Sequence, residues 1–374
     1  MSAGRATAAL RLPGAGGAVP DDTDGKLRRA VAWLRENLFN GVLNTLLTVA
    51  VVAGLALIVP PFLRWAVGDA TISGISRAAC VGDGACWTFI RLRLPTFIYG
   101  HYPPEERWRV HLVVLLLLAF GFPALREHAR RRGLWLSLLL TAFPLLAGVL
   151  LVGGLPGLPF VDTGEWGGLM LDFVISFVTV AGSLPLGVLL ALGRRSQLRV
   201  VRTLCVGFIE IWRGVPLLTV LFMSAVMVPL FLPQGVSVDR LLRAMAALVL
   251  FNSAYMAEVV RGALQGVAGG QEEAAYSLGL HWAQAQRHIV LPQALRIAVP
   301  GIVNTVVDLF KDTTLVTIVG LTDLLGAVNQ ALKDPAWLGF ATEGYVFSAA
   351  VFFVCCFSMS AYGRSVERRL SRGR

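Results

Sequence analysis

The sequence predicts an all-α integral membrane protein with about eight transmembrane helices. Hydrophobic residues make up 56% of its 374 residues and charged residues only 15%, whereas about 25% of residues are charged in soluble domains. Several apolar runs are as long as the roughly 20 residues that an α-helix needs to cross a bilayer. They do not alternate like the strands of a membrane barrel, and helices and closed barrels are the structures that can span lipid.

Each predicted span is an apolar run bounded by polar residues. The spans cover residues 41–63, 109–125, 134–155, 167–192, 214–232, 241–260, 294–312 and 344–363. We expect residues 202–213 to form an interfacial lead-in to the fifth span. We expect residues 313–343 to form short helices at the level of the membrane rather than a further span.

The basic residues indicate the orientation. The net charge of +10 is concentrated in short segments beside apolar runs, which argues against a nucleic-acid-binding surface and follows the positive-inside rule. With the N-terminus inside, the predicted cytosolic segments 1–40, 126–133, 193–202, 261–293 and 364–374 carry six, four, four, two and five Lys or Arg. The chain is therefore predicted to be a multi-pass protein of a bacterial inner membrane, with both termini in the cytosol.

Four regions follow from this pattern. Residues 1–39 form a cytosolic tail with a basic amphipathic stretch, and residues 40–165 hold three spans and a long periplasmic loop, 64–108. Residues 166–364 hold five spans, and residues 365–374 form a basic cytosolic tail. Cys80 and Cys86 lie in the periplasmic loop, where an oxidising compartment favours a disulfide; two unpaired thiols are the alternative. No cysteine spacing suggests a metal site.

A polar segment, QEEAAYSLGLHWAQAQRHIVLP at 271–292, interrupts the apolar chain between two spans. Its apolar residues recur every three or four positions, which predicts helix, and Gly279 suits a turn between two short helices. Pro292 suits the first turn of the next span. A DNA-binding helix-turn-helix is excluded because Arg287 is the only arginine between 262 and 295, whereas a recognition helix has to be basic. A simple interfacial connector remains an alternative.

The chain has no ATP-binding loop of its own. A P-loop requires Lys followed by Ser or Thr, and Lys26, Lys311 and Lys333 are followed by Leu, Asp and Asp. We therefore expect no bound cofactor or metal and no enzymatic activity in this chain. ATP and magnesium would belong to a partner subunit.

The polar segment resembles the EAA loop of ABC-importer permeases, EAA-x3-G-x9-I-x-L-P, at every motif position. The resemblance implies that the loop is a coupling helix which docks in a cleft of an ATPase subunit. The coupling residues that it implies are Glu273, Ala274, Ala275, Leu278, Gly279, Ile289, Leu291 and Pro292.

Three further stretches, FIEIWRGVPLLTVLFM, NSAYMAEVVRGALQGV and PGIVNTVVDLFKDTTLV, resemble polar amino acid permeases of the histidine/glutamine class. The extension with GACW and ERWRV, and the C-terminal VCCFSMSAYGRSVERRL, resemble the M subunit of general L-amino acid importers of the Aap/Bzt type. The resemblance implies a five-helix type I (MetI-like) core after three N-terminal helices. It also implies alternating access to move L-amino acids from periplasm to cytosol.

The partners implied by the same resemblance are two ATPase subunits, a homologous Q-type permease and a periplasmic amino acid-binding protein, with lipid around the spans. Two other classes of function fit the sequence less well. A secondary transporter driven by an ion gradient would need inverted repeats, which the sequence does not show. A membrane enzyme would need a nucleophile–base or metal cluster, and the five histidines are scattered.

Ionisable and polar groups inside spans are expensive and are candidates for a substrate pathway. The pathway candidates are Asn304, Asp308, Lys311, Asp312, Thr313, Asp172, Asn252, Tyr255 and Glu258. Pairs spaced by three residues provide a structural alternative, because Glu210 with Arg213, Glu258 with Arg261 and Asp308 with Lys311 could form salt bridges.

Two of these acids depart from the subtype. A Thr-like residue is expected at Asp172 and a small residue at Asp308. We hypothesise from the sequence that both lie close together in the pore and favour cationic amino acids; two acids facing neighbouring spans, with no effect on substrate, are the alternative.

Overall fold

The computed structural model describes residues 22–126 and 131–372, and this part of the chain is almost entirely helical. The N-terminal tail before residue 22 lies outside the described residues. The α-helices are α1 Asp22–Asn37, α2 Val42–Leu63, α3 Trp87–Tyr99, α4 Arg107–Leu125, α5 Arg132–Leu140, α6 Ala142–Val152, α7 Gly168–Arg194, α8 Arg199–Gly214, α9 Leu217–Phe222, α10 Val228–Phe231, α11 Arg240–Gln265, α12 Gly270–Ser277, α13 Trp282–Ala285, α14 Leu291–Asp312, α15 Leu324–Leu332 and α16 Ala341–Arg372.

Seven helical segments in the described chain are long and apolar enough to cross a membrane. They are Val42–Gly68, Pro104–Ala124, Gly133–Val152, Gly168–Arg194, Arg240–Gln265, Trp282–Val319 and Ala341–Arg369. A further pair, Arg199–Gly214 and Leu217–Phe231, is long and apolar enough when taken together but is bent by 100°, as in a broken span or a re-entrant loop. The described chain thus has seven candidate spans, or eight with this pair, which agrees with the expected all-α membrane protein of about eight helices. The predicted lead-in at 202–213 falls within the first arm of the bent pair.

The stretch 64–108, which the sequence predicts to be a periplasmic loop, contains the helix α3. Arg91, Arg93 and Pro95 interrupt its apolar run, so the stretch did not stand out as a span. Phe89 and Phe97 are fully buried against residues of α15 and the following turn, while the guanidinium of Arg93 pairs with Asp334. The helix therefore packs along one face and keeps its charges on another.

The described chain divides into two compact units. One comprises residues 22–70 and 82–85 of the described chain. In this unit, α2 is followed by one turn of π-helix, Arg64–Gly68. Arg64 at its start forms an ion pair of 2.9 Å with Asp69, the residue after it. The backbone N–H of Ala85 donates to the carbonyl of Trp65 at 2.9 Å.

The second unit holds residues 71–81 and 86–372, with α7 and α11 packed side by side at its centre. Glycine permits this approach: a Cβ on Gly187 would lie 2.6 Å from the Cβ of Met256. Small residues are the usual means by which membrane helices come close together. α14 packs on α11, and α16 packs on α14.

Short elements close the end of the second unit opposite the polar loop. After α14 come a 3-10 helix, Thr313–Val319, a bridge from Thr322–Asp323 to the start of α7, and then α15. This confirms the expectation of short helices within 313–343. At the start of α3, Cys80 and Cys86 are joined as a disulfide with their Cα atoms 5.6 Å apart.

Candidate functional site

The polar loop forms a helical hairpin around Gly279. This glycine has a φ of +78°, a conformation that costs glycine little. The N–H of Leu280 donates to the carbonyl of Ala275 at 3.1 Å, and the N–H of Gly279 donates to that of Tyr276 at 2.9 Å. These two bonds form a Schellman motif, which ends α12 and turns the chain into α13.

The motif residues divide between the two sides of this hairpin. Glu273, Ala274, Leu278, Gly279 and Pro292 are exposed, and the exposed fraction of Leu278 is 79%. Ala275 is buried against the rest of the hairpin, and Ile289 and Leu291 are half-buried. One side is therefore open for a partner while the other packs within the chain.

The second short helix is not a separate element, contrary to the sequence-based expectation. Trp282–Val319 forms one continuous helical segment, in which a π turn, Gln286–Val290, joins α13 to α14. Pro292 stands in the first turn of α14, where its missing N–H needs no helical partner. The second half of the hairpin is therefore continuous with a candidate membrane span.

Glu272, the acid next to the motif glutamate, binds the hairpin to its surroundings. Its carboxylate accepts hydrogen bonds from Tyr276 at 2.9 Å and from Gln286 at 3.0 Å. Arg195, at the end of α7, pairs with it at 3.0 Å. The bond to this carboxylate raises the pKa of the Tyr276 phenol. Sequence reasoning missed Glu272 because the family motif has no fixed residue there.

Glu258 lies in a cluster of ionic groups near the same end of the helices. Its carboxylate is 2.9 Å from Arg261, 3.0 Å from Arg194 and 3.7 Å from Arg213. The expected pair Glu258–Arg261 is present. The expected ion pair between Glu210 and Arg213 does not form in the structure. Glu210 instead contacts Arg194 at 3.3 Å. The better-covered carboxylate of Glu258, with an exposed fraction of 16%, attracts the guanidinium of Arg213.

A charged and exposed face runs along α14. Asn304, Asp308 and Lys311 are all exposed, as their predicted common face requires. The amine of Lys311 lies 2.8 Å from the carboxylate of Asp308, and the side chains are 56% and 68% exposed. Asp312 is half-buried beside this face, whereas Thr313 is buried and donates to the carbonyl of Phe310.

The two pathway candidates on α11 occupy different environments. Asn252 is buried and donates to the carbonyl of Leu248 at 3.0 Å, a bond within its own helix. Tyr255 is exposed, with its ring 5.0 Å from that of Phe251 and 5.7 Å from the guanidinium carbon of Arg213. Of the two, Tyr255 is open to a ligand.

Asp172 is fully buried and serves a structural contact. One carboxylate oxygen accepts the backbone N–H of Leu324 at 3.1 Å, at the start of α15. Asp323 caps the same helix by accepting from Leu325 and Gly326. Asp308 lies on the exposed face of α14 and pairs with Lys311. No contact between Asp172 and Asp308 supports the hypothesis of a shared acidic site.

No group of three or more His, Cys, Asp or Glu side chains that could hold a metal ion occurs in the described chain. The structure assembles the helical hairpin at 271–292, an ionic cluster around Glu258 and a charged face of α14.

Comparison with known proteins identifies the family. The model of binding-protein-dependent transport system inner membrane components matches residues 183–372, which include the hairpin, the ionic cluster and α14. An Escherichia coli (strain K12) protein named inner membrane amino-acid ABC transporter permease protein YhdY is 49% identical over 346 residues, or 92% of this chain and 94% of the relative. The chain belongs to this family of transport components.

A second relative agrees with membership of this family, and a similar solved structure is known. The Rhodobacter capsulatus glutamate/glutamine/aspartate/asparagine transport system permease protein BztC is 39% identical over 408 residues, covering 92% of this chain and 94% of the relative. A solved structure titled as an amino acid ABC transporter with histidines is 29% identical, covers 54% of this chain and 92% of its own, and has a TM-score of 0.49. The ion-gradient alternative has no support among these relatives.

Proposed function

We propose that this permease imports polar L-amino acids into the cytosol by alternating access, driven by ATP that separate subunits hydrolyse. The relatives that match it over 92% of its length are amino acid permeases by name. In this proposal, two ATPase subunits dock on the hairpin, and a periplasmic amino acid-binding protein delivers the substrate. A homologous permease completes the membrane part.

The observation that carries this proposal is the open side of the hairpin. Glu273 is exposed and Leu278, at the tip, is 79% exposed, beside an exposed Trp282. An apolar tip flanked by a carboxylate is the kind of surface that a protein partner covers. The opposite side of the hairpin leads through a continuous helix into the membrane.

The proposed orientation places the hairpin, the basic residues beside it and both termini in the cytosol of a bacterial cell. The short elements around α15 and the disulfide Cys80–Cys86 then lie on the periplasmic side, where oxidation is favoured. Thiol labelling of single-cysteine variants at exposed positions on each side tests this arrangement in intact cells.

The charged face of α14 is the proposed substrate pathway. Asp308 and Lys311 are exposed within a membrane-spanning segment, and charges facing hydrocarbon are costly. We infer that this face borders a water-filled path shared with the homologous permease. A path with both charge signs suits a zwitterion, and Tyr255 offers an aromatic surface.

The docking role is tested in the full complex with Glu273→Gln. We expect normal membrane insertion but a loss of ATPase subunits on purification and a fall in uptake of about tenfold, as for a lost interface anchor of about 1.4 kcal/mol. Glu367→Gln, at an exposed position of α16, is the matched control. Wild-type uptake and ATPase recovery in Glu273→Gln would contradict the docking role.

The pathway role is tested with Asp308→Asn, Lys311→Gln and the double variant. Each single change leaves one charge unpaired in the path, so we expect the relative uptake of L-glutamate and L-arginine to shift in opposite directions in the two variants. Arg199→Gln, an exposed change on α8, is the control. An unchanged uptake ratio in both single variants would place the substrate elsewhere.

A further inference from the structure

Two consecutive glutamates of α12 have different surroundings. Glu273 is exposed, while the neighbouring Glu272 is partly covered and holds three partners. Successive residues on a helix point about 100° apart, so one acid can face outward while the next faces the chain. The contacts of Glu272 show what the inward side of the hairpin is attached to.

The first attachment is to the long helix that continues into the membrane. Gln286, which donates to Glu272 at 3.0 Å, is buried in the π turn that precedes α14. A second bond joins Gln293 to Gln271 at 3.3 Å. These bonds fasten α12 to the base of the helix whose far half carries Asp308.

The second attachment is to α7. Arg195 pairs with Glu272 at 3.0 Å, and the preceding residue, Arg194, contacts Glu258 at 3.0 Å. Glu258 in turn binds Arg261 of its own helix, α11, and lies near Arg213 of α8. Two consecutive arginines at the end of α7 therefore connect the hairpin on one side to the ionic cluster on the other.

We propose that Glu272 and Arg195 act together as positioning residues that make α7 follow the movement of the docked hairpin. The proposal rests on the proposed function, since it requires an ATPase to dock at Glu273. A partner bound to the open side displaces α12. The pair on the inward side passes that displacement to α7 and, through Arg194, to α8 and α11.

The other side-chain hydrogen bonds that leave α12 run to different elements. Gln286 and Gln293 connect α12 only to α14, in the same continuous segment as α13. Among the side-chain hydrogen bonds and ion pairs of the described residues, the one between Glu272 and Arg195, the residue directly after α7, joins α12 to the end of α7. Salt-bridge networks of this kind are one means by which coupling between two sites is carried.

The test uses the complete complex in proteoliposomes, with its binding protein saturated by whichever of L-glutamate, L-glutamine, L-arginine and L-histidine stimulates the wild type most. Glu272→Gln, Arg195→Gln and the double variant are compared for subunit recovery, basal ATPase and stimulated ATPase. Arg195→Lys tests whether a positive charge restores coupling. Arg202→Gln, an exposed arginine of α8, is the matched control.

We expect full assembly and unchanged basal ATPase in the variants, with stimulation by the loaded binding protein reduced about fivefold, as for a lost coupling free energy at the lower end of the usual range. The double variant should lose no more than either single variant, because both remove one shared contact. Arg195→Lys should recover most of the stimulation, and Arg202→Gln should behave as wild type.

Three results would overturn the proposal: wild-type stimulation in Glu272→Gln and Arg195→Gln, additive losses in the double variant, or loss of the ATPase subunits, which would make Glu272 a docking residue. Failure of the proposed function is distinguishable from these. It would be seen in the wild-type complex, as an absence of ATPase subunits or of stimulation, whereas the present inference fails only in the variants.

Discussion

Replacing Glu258 with glutamine should destabilise the helix ends around it. The substitution keeps the shape of the side chain but removes the negative charge that three guanidinium groups share. Arg261, Arg194 and Arg213 lie 2.9, 3.0 and 3.7 Å from this carboxylate. Without it, three positive charges from α11, α7 and α8 repel one another, and Glu210 contacts only Arg194.

The size of the effect follows from burial. An exposed ion pair contributes about 0.2–1 kcal/mol, whereas removing one partner of a buried pair costs about 3–5 kcal/mol. Glu258 is 16% exposed and its two closer arginines are 28% and 32% exposed. The free energy that each of these two contacts contributes is therefore near the top of the range for exposed pairs, about 1 kcal/mol. Two such contacts give about 2 kcal/mol. At about 2 °C per kcal/mol for a large domain, Tm should fall by about 4 °C.

The assay is thermal unfolding of the purified complex, followed by intrinsic fluorescence at low and at high salt. Glu210→Gln is the matched control, because that side chain is 59% exposed and makes a single 3.3 Å contact; its Tm should change by less than about 1 °C. A Tm for Glu258→Gln within 1 °C of the wild type, or equal to that of Glu210→Gln, would refute the reasoning from burial and charge.

Three further predictions concern the ends of the helices. Asp172→Leu leaves the buried N–H of Leu324 without its acceptor and should cost about 1–3 kcal/mol, whereas Asp172→Asn should cost less; equal Tm values for both variants would contradict the capping role. Non-reducing peptide mapping should find Cys80 linked to Cys86, and Cys80→Ala should lower stability by about 2 kcal/mol for so short a loop; free thiols in periplasmic material would disprove the linkage. Arg109→Met removes a buried guanidinium that pairs with the carboxylate of Glu106 at 2.8 Å. This should cost about 3 kcal/mol and should be seen as a fall in Tm. High salt should not lower the Tm of the wild type by the same amount.

The membrane spans could be predicted from the sequence because their physical cause is local. Long apolar runs require helices in lipid, and basic residues beside them indicate the side. The hairpin could be predicted equally well from the sequence. Gly279 and the three-to-four-residue apolar spacing specify a turn between helices without reference to distant residues. Its φ of +78° agrees with that expectation.

The helix α3 shows where local signals were insufficient. Arg91 and Arg93 break its apolar pattern, and only packing against α15 reveals that Phe89 and Phe97 are core residues. A 13-residue helix is too short to be recognised as a span and needs its partner to be recognised as buried.

The sequence by itself determined the all-helical membrane fold, the helical hairpin around Gly279 and the shared face of Asn304, Asp308 and Lys311, because helix period and lipid solvation fix these over short stretches. Tertiary structure alone decided which charges of different helices meet. Arg194 contacts Glu258, which is 64 residues away in the sequence, and Arg195 contacts Glu272, which is 77 residues away. Several arginines surround the carboxylate of Glu258 because it is partly buried, and only the packing of the helices defines that burial.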